Sequence, residues 1–358
     1  MTDRPSQPAP RARQLPMFAT CVPGLSRMLR HELAAIDGIN TTGSGFDGPT
    51  DIVFFSANRS GRAQALRCRL AEDVYAETGR ASLGVNSGRG GKAGPGEIAR
   101  MAWQPDAAER ALSVRAQEVA PLSGSMTYRV TVRARGQTRL RPSDLRRAMT
   151  TVIAADRPRW KFADEPQLEV RLSEWHDGQY VAGLRIGGLT RQRGGRVSEP
   201  HGALPATVAA AMIQLAGPRT AGGFLLDPCC GAGTILAEAA AVGWTAEGSD
   251  IDQGAVEVAA KHAAGVSVRL GDAREVLLPD DCVSACVSRL PGRVPGSWPD
   301  WVGEVLAELS RVCRRGGRVV LLTPDLPRQS TPRALRLRKQ VPIELAGATE
   351  TIWVFHRA

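Results

Sequence analysis

Aromatic residues are scarce: Phe, Trp and Tyr make up 5% of the 358 residues. That excludes a sheet on which several bases stack in a row. No apolar run approaches the ~18 residues that cross a bilayer, so no membrane-spanning helix is expected. Residues 1–16 are rich in Pro, Gln, Arg and Ser and lack an apolar core, so they read as a disordered tail and not as a signal peptide. The cysteines number seven and are scattered. Cys229 and Cys230 adjoin, while Cys282 and Cys286 are four apart with no His or Cys pair nearby. Neither a disulfide framework nor a metal site is expected from that spacing. A reducing cytoplasm is the simplest compartment for such a chain. Lysine is nearly missing too: Lys92, Lys161, Lys261 and Lys339 are four of the 46 basic residues.

What the chain has instead is arginine, unevenly placed. Residues 1–200 hold 30 Lys and Arg against 20 Asp and Glu, and residues 201–358 hold 16 against 16, so the whole net charge of +10 lies in the first part. A GC-rich genome raises arginine everywhere and does not account for that division. A basic region beside a neutral one points to a polyanionic partner, foremost nucleic acid. Arg129, Arg133, Arg135, Arg139, Arg141, Arg146 and Arg147 fall within 19 residues, with Asp144 the only acid among them. Planar guanidinium groups grip phosphate bidentately. Arg133, Arg135, Arg139, Arg141, Arg146 and Arg147, with Lys161 beyond them, are therefore the candidate contacts to RNA. Arg191, Arg193 and Arg196 form a second basic stretch.

Periodicity and turn residues divide the rest. A strand at 17–20, a helix at 25–36, a loop at 43–48, a strand at 51–56, a helix at 63–70 and a strand at 74–78 make a small α+β unit, residues 17–85. The glycine-rich stretch 86–96 is the clearest boundary in the chain. A second α+β unit, residues 97–190, carries helical segments at 97–101 and 107–114 and a strand at 126–134. It continues with a helix that Ser143 should cap and strands at 168–172 and 179–186. Residues 200–358 turn to a βα rhythm, which predicts an open, doubly wound α/β sheet.

Within that last region residues 224–236 organise the rest. An apolar run, Phe224-Leu225-Leu226, fits a buried parallel strand. Asp227-Pro228-Cys229-Cys230-Gly231-Ala232-Gly233-Thr234 follows, and then an alanine-rich helix. Strand, glycine turn and helix N-terminus make a ligand site at the carboxyl edge of such a sheet. The third glycine of the dinucleotide fingerprint is missing, and no Gly-Lys-Ser/Thr follows, so neither a dinucleotide nor a phosphate loop is expected. A carboxylate directly before the glycines suits a cationic ligand, such as one carrying a sulfonium and an ammonium. Acidic residues recur at the next strand ends: Asp250, which lies 23 residues past Asp227, and Asp272. The first is spaced to accept two ribose hydroxyls, and the second to accept from an exocyclic adenine amine.

Asp-Pro-Cys-Cys-Gly-Ala-Gly-Thr-Ile-Leu-Ala-Glu-Ala-Ala, residues 227–240, resembles the cofactor motif of the THUMP-domain RNA methyltransferases. Phe18-Ala19-Thr20-Cys21-Val22-Pro23-Gly24-Leu25 looks like the start of that family's N-terminal ferredoxin-like domain. Pro158-Arg159-Trp160-Lys161 sits where its THUMP domain would have it. The resemblance implies ferredoxin-like and THUMP α+β domains, the latter gripping RNA, before a seven-stranded Rossmann-like methyltransferase domain over 200–358. It implies S-adenosylmethionine held by Asp227, Gly231, Gly233, Asp250 and Asp272, with their neighbours Cys229, Thr234, Ile251 and Ala273. The implied product is N2-methylguanosine, in tRNA before rRNA.

The chain departs from the family at its fourth motif. There the family has Asn or Asp, then Pro-Pro or Leu-Pro, then an aromatic. An exocyclic amine is a poor nucleophile because its lone pair is delocalised into the ring. Acceptors on its hydrogens localise that pair, and the aromatic fixes the base for attack. Here the catalytic candidates are Ser288, Arg289, Leu290 and Pro291, followed by Gly292. Arginine has no acceptor, and glycine cannot stack. The Leu290 carbonyl and Ser288 Oγ are candidate acceptors, and Trp298 or Trp301 in the following loop a candidate stacking surface. Two readings stay open: an active guanine methyltransferase, or an RNA-binding relative that keeps the cofactor pocket with its catalysis impaired.

Overall fold

A computed structural model describes residues 14–83, 94–119, 121, 126–134, 140–188, 203–219, 222–292, 294 and 296–358. The chain forms two compact units, Met1–Cys21 with Leu29–Arg193 and Val22–Met28 with Gly194–Ala358. The stretches 1–13 and 84–93, which hold most of the expected tail and boundary, lie outside the described residues. Among the described residues no helix is long and apolar enough to cross a membrane.

The first unit is a mixed eight-stranded sheet with helices. In chain order come β1 (Leu15–Cys21), α1 (Ser26–Ala34), β2 (Ile39–Phe46), β3 (Asp51–Ala57), α2 (Arg59–Ala65) and β4 (Asp73–Ser82). Then follow α3 (Pro95–Ala102), α4 (Pro105–Glu118), β5 (Thr127–Arg133), α5 (Pro142–Asp156), β6 (Lys161–Phe162), β7 (Leu168–His176) and β8 (Gln179–Gly188). The sheet order is β2-β3-β1-β4-β8-β7-β5-β6. The two stretches read as separate α+β units thus share one sheet, because β4 pairs antiparallel with β8 from Asp73↔Gly188 to Ser82↔Gln179.

Two local expectations are corrected here. Residues 43–46, read with 47–48 as a loop for their glycines, belong to β2, which alternates half-buried and exposed positions at the sheet edge and shifts register between Thr41 and Gly43. A bulge of that kind is where an edge strand tolerates glycine. Ser143 is not the cap of α5. Arg141 holds the cap position with extended backbone and Pro142 opens the helix, its preset φ and missing N–H suiting the first turn.

The second unit is an open seven-stranded sheet. After α6 (Ala206–Leu215) come β9 (Phe224–Asp227), α7 (Thr234–Ala241), β10 (Thr245–Asp250), α8 (Gln253–His262), β11 (Ser267–Leu270), β12 (Val283–Arg289), α9 (Trp298–Val312), β13 (Cys313–Thr323), β14 (Leu335–Leu345) and β15 (Ala348–Arg357). Their order is β11-β10-β9-β12-β13-β15-β14. Strands β9 to β13 are parallel, and β15 enters antiparallel between β13 and β14. The order reverses between β9 and β12, which is where ligands settle in doubly wound sheets. β12 is buried on both faces, as a central parallel strand must be, and its small residues let helices close over it. Helix α9 lays Val302, Val305, Leu306, Leu309 and Val312 into the core on one stripe. Each such side chain contributes roughly 1.5–3 kcal/mol by leaving water. That packing fixes the ends of β9 and β12 against each other.

Candidate functional site

The turn after β9 is built by two glycines with different duties. Gly231 has φ +50°, and a Cβ there would meet nothing within 4 Å, so its open side borders the cavity at the strand ends. Gly233 has φ +76°, and a Cβ would come 3.0 Å from both Cα and Cβ of Ala259. It therefore lets α8 pack against the start of α7, a close-packing duty like the one that the dinucleotide fingerprint gives its third glycine. His262 Nδ1 lies 2.7 Å from the Ala232 carbonyl and braces the turn from α8.

Asp227 ends β9 and is almost wholly buried. Its Oδ1 accepts from Ser288 Oγ at 2.6 Å and from the Cys229 N–H at 3.3 Å. Its Oδ2 has no partner. Burial pushes its pKa up to about 7, against the pull of the Ser288 and Cys229 hydrogen bonds, with Asp250 adding a small push. Asp250 ends β10. Its Oδ2 accepts from the Gly231 N–H at 2.8 Å and its Oδ1 from the Asp252 N–H at 3.0 Å, so it holds the turn as well as facing the cavity. Asp272, beyond β11, is clasped by Arg274, whose guanidinium and backbone N–H both donate to it. Those bonds hold its carboxyl below the usual range.

These strand ends line one cavity of about 640 Å³, large enough for a cofactor and part of a substrate. Of the residues expected to hold a cofactor, Asp227, Cys229, Gly231, Thr234, Asp250, Ile251, Asp272 and Ala273 all line it; Gly233 lies behind. Arg289, Leu290, Pro291 and Gly292 form the far wall with Trp301, Pro324 and Glu350. Ser288 is fully buried and spends its hydroxyl on Asp227, away from any position on that wall. Trp298 and Trp301 belong to α9 and not to a loop. Their rings stack at 5.6 Å, and only Trp301 reaches the cavity.

Arg289 does not point freely at a substrate. Its Nη2 donates to Glu350 Oε1 at 2.6 Å. Glu350 lies near the start of β15, which runs antiparallel to β13 and so brings its first residues to the carboxyl edge of the parallel strands. Glu350 is 7% exposed. Glu350 and Arg274 are the charged cavity residues that sequence reasoning missed. Only the arginine had a signal, two positions past an expected strand-end aspartate.

The basic candidates of the first unit fall into two places. Arg133 ends β5, and Arg141, Arg146 and Arg147 lie at and just inside the start of α5, all exposed. Lys161 pairs with Thr127 at the opposite end of β5, six residues or roughly 20 Å away. Beside it Phe162, 56% exposed on the edge strand β6, is a stacking surface that the sequence did not announce. Arg135, Arg139 and the stretch with Arg191, Arg193 and Arg196 lie outside the described residues.

The cavity fits S-adenosylmethionine on its own chemistry. Two of the lining residues carry buried atoms without partners, Asp227 Oδ2 and Thr234 Oγ1. The first suits an ammonium. The second, with the free N–H groups that begin α7, suits a carboxylate. Asp250 keeps lone pairs for ribose hydroxyls, and Ile251, 72% exposed, with Ala273 offers an apolar wall for a purine.

Residues 193–274 match the family model described as UPF0020, RMKL-like, methyltransferase domain. Human U6 snRNA (guanine-N(2))-methyltransferase THUMPD2 is 32% identical over 181 residues, 46% of this chain and 34% of that protein. The match thus spans about a third of the length of that relative. The crystal structure of TrmN from Thermus thermophilus superposes with a TM-score of 0.72 at 22% identity, covering 96% of this chain and 100% of that one. A possible methylase from Clostridium difficile 630 gives a TM-score of 0.71 at 15% identity over 97% of this chain and 99% of that one. Over nearly its whole length the chain carries the fold of TrmN and of that possible methylase, and within it residues 193–274 match a methyltransferase domain, for which S-adenosylmethionine is the implied cofactor.

Proposed function

We propose that this protein transfers a methyl group from S-adenosylmethionine to the exocyclic N2 of a guanine in RNA, with tRNA the first substrate to test. The observation that carries the proposal is the single cavity at the switch point. One end suits a zwitterionic nucleoside cofactor, and the other has a wall of Leu290, Pro291 and Trp301 able to receive a base turned out of its stack. The cofactor supplies a methyl group on a cationic sulfur. Asp227 and Thr234 would hold its amino-acid end, Asp250 its ribose, and Asp272 with Ile251 and Ala273 its purine. Arg274 would have to share or release Asp272. The relative acting on guanine N2 of U6 snRNA supports the choice of atom. The excess of arginine in the first unit supports an RNA partner, with Arg133, Arg141, Arg146 and Arg147 on one edge as its contacts and Lys161 with Phe162 as a second patch. Residues 17–85 and 97–190 would act in that unit as ferredoxin-like and THUMP parts. Seven free thiols suit the reducing cytoplasm.

Arg289 and Gly292 favour a second reading, an RNA-binding relative that holds the cofactor without transferring its methyl group. The two readings separate in one assay, purified protein with methyl-tritiated cofactor and total RNA from a strain lacking the gene. Label entering RNA supports the enzyme. Cofactor binding with no label transferred supports the second reading.

A further inference from the structure

We infer that Glu350 and Arg289 together read the Watson–Crick edge of the target guanine, and that Glu350 supplies the acceptor missing from the fourth motif. The inference rests on the guanine reading above. Three observations lead to it. Arg289 stands where an acceptor belongs. Its guanidinium is drawn to Glu350 Oε1 at 2.6 Å. Glu350 is nearly buried yet lines the cavity, on the wall with Arg289, Pro291 and Trp301. A buried carboxylate at a cavity wall with one oxygen committed to a guanidinium still has lone pairs to offer. The pair thus presents a donor, Arg289, next to an acceptor, Glu350.

Base chemistry selects what matches that order. Along its Watson–Crick edge guanine offers an acceptor, O6, then two donor positions, N1–H and the N2 amine. A carboxylate can accept from both donors while the arginine donates to O6. Adenine and cytosine would set an amine against the arginine. Uracil would set a carbonyl against the carboxylate. Inosine matches at O6 and N1 but has no amine. Carboxylate hydrogen bonds are stronger than those of a neutral amide oxygen, so Glu350 would localise the N2 lone pair at least as well as the usual asparagine. In the transfer the N–C bond forms as the C–S bond breaks, and the bonding pair stays with sulfur. The surplus proton on N2 passes to the carboxylate that already accepts from it, and then to water. Trp301, backed by Trp298, supplies the face on which the base lies.

The test uses three seven-nucleotide RNAs, a single guanosine, inosine or adenosine flanked by uridines, titrated by anisotropy into the full chain, with calorimetric titration of S-adenosylmethionine alongside. Wild type should bind the guanosine RNA roughly tenfold more tightly than the inosine RNA, the worth of one hydrogen bond to a charged group. Glu350→Gln should bring that ratio to within about twofold while keeping cofactor affinity and melting temperature. Arg289→Met should weaken both RNAs alike and keep their ratio, since O6 is common to both. Cofactor binding with equal or undetectable binding of the RNAs, or a ratio unchanged in Glu350→Gln, overturns the assignment of the pair and leaves the cofactor site standing. Absence of cofactor binding in wild type overturns the functional reading beneath it.

Discussion

As the proposed partner of the cofactor's ammonium, Asp227 should make cofactor affinity depend on pH in a way that an ordinary aspartate would not. Its carboxyl is buried at the base of the cavity, one oxygen is unpartnered, and burial lifts its pKa to about 7. In the free protein it is then roughly one-tenth ionised at pH 6 and nine-tenths at pH 8. A cationic ligand that binds only the ionised form has its affinity multiplied by that fraction, so binding should be about tenfold weaker at pH 6 than at pH 8. The ammonium of the ligand titrates nearby, and Asp227→Asn serves as the reference because it keeps the ligand's own titration. The ratio of the two proteins' affinities isolates the carboxylate. At pH 8 Asn should bind roughly 10- to 100-fold more weakly, the cost of losing a charge-assisted hydrogen bond. Ser288→Ala removes a bond that favours ionisation and should move the profile to higher pH. The same carboxyl sets a stability trend. Between about pH 4 and 7 the folded chain holds a proton that the unfolded chain has lost, so this group's contribution falls as pH rises, by ~4 kcal/mol in all. A wild-type-to-Asn affinity ratio that is flat from pH 6 to pH 8 would refute the reasoning.

Three further outcomes are expected. Asp250→Ala should weaken cofactor binding at least tenfold, because it removes both the proposed ribose contact and the acceptor of the Gly231 N–H; Asp272→Ala, whose carboxylate is already taken up by Arg274, should cost less in the same calorimetric titration. Gly233→Ala should lower stability by ~1–3 kcal/mol in denaturant unfolding, since it combines a left-handed φ with a 3.0 Å approach to α8; a neutral effect would contradict the packing duty assigned to it. Replacing Arg141, Arg146 and Arg147 by Gln should weaken tRNA binding and flatten the plot of log affinity against log salt by ~2–3 in slope, and an unchanged slope would remove that edge from the RNA interface.

The α/β rhythm from residue 224 onward was legible because β9, β12 and β13 carry short apolar runs, and β9, β10 and β11 end at or just before an acid. Asp227, Asp250 and Asp272 could be placed at one edge for the same reason: parallel strands of one sheet end on the same side. The joining of the two N-terminal stretches into one sheet was not legible. It depends on β4 meeting β8 across about a hundred residues, and edge pairing leaves no local signature. The far wall was hidden likewise. Glu350 is 61 residues from Arg289, and they meet only because β15 inserts antiparallel beside β13. Ser288 shows the converse limit. The sequence marked it as polar at a strand end, and its neighbour across the sheet decided that its hydroxyl serves Asp227.

The most direct measurement is nucleoside mass spectrometry on tRNA from a strain lacking the gene, after incubation with the purified protein and methyl-deuterated S-adenosylmethionine. The account predicts deuterium in N2-methylguanosine, lost with Asp250→Ala and sharply reduced with Glu350→Gln. Label in another nucleoside, or none although the cofactor binds, would contradict it.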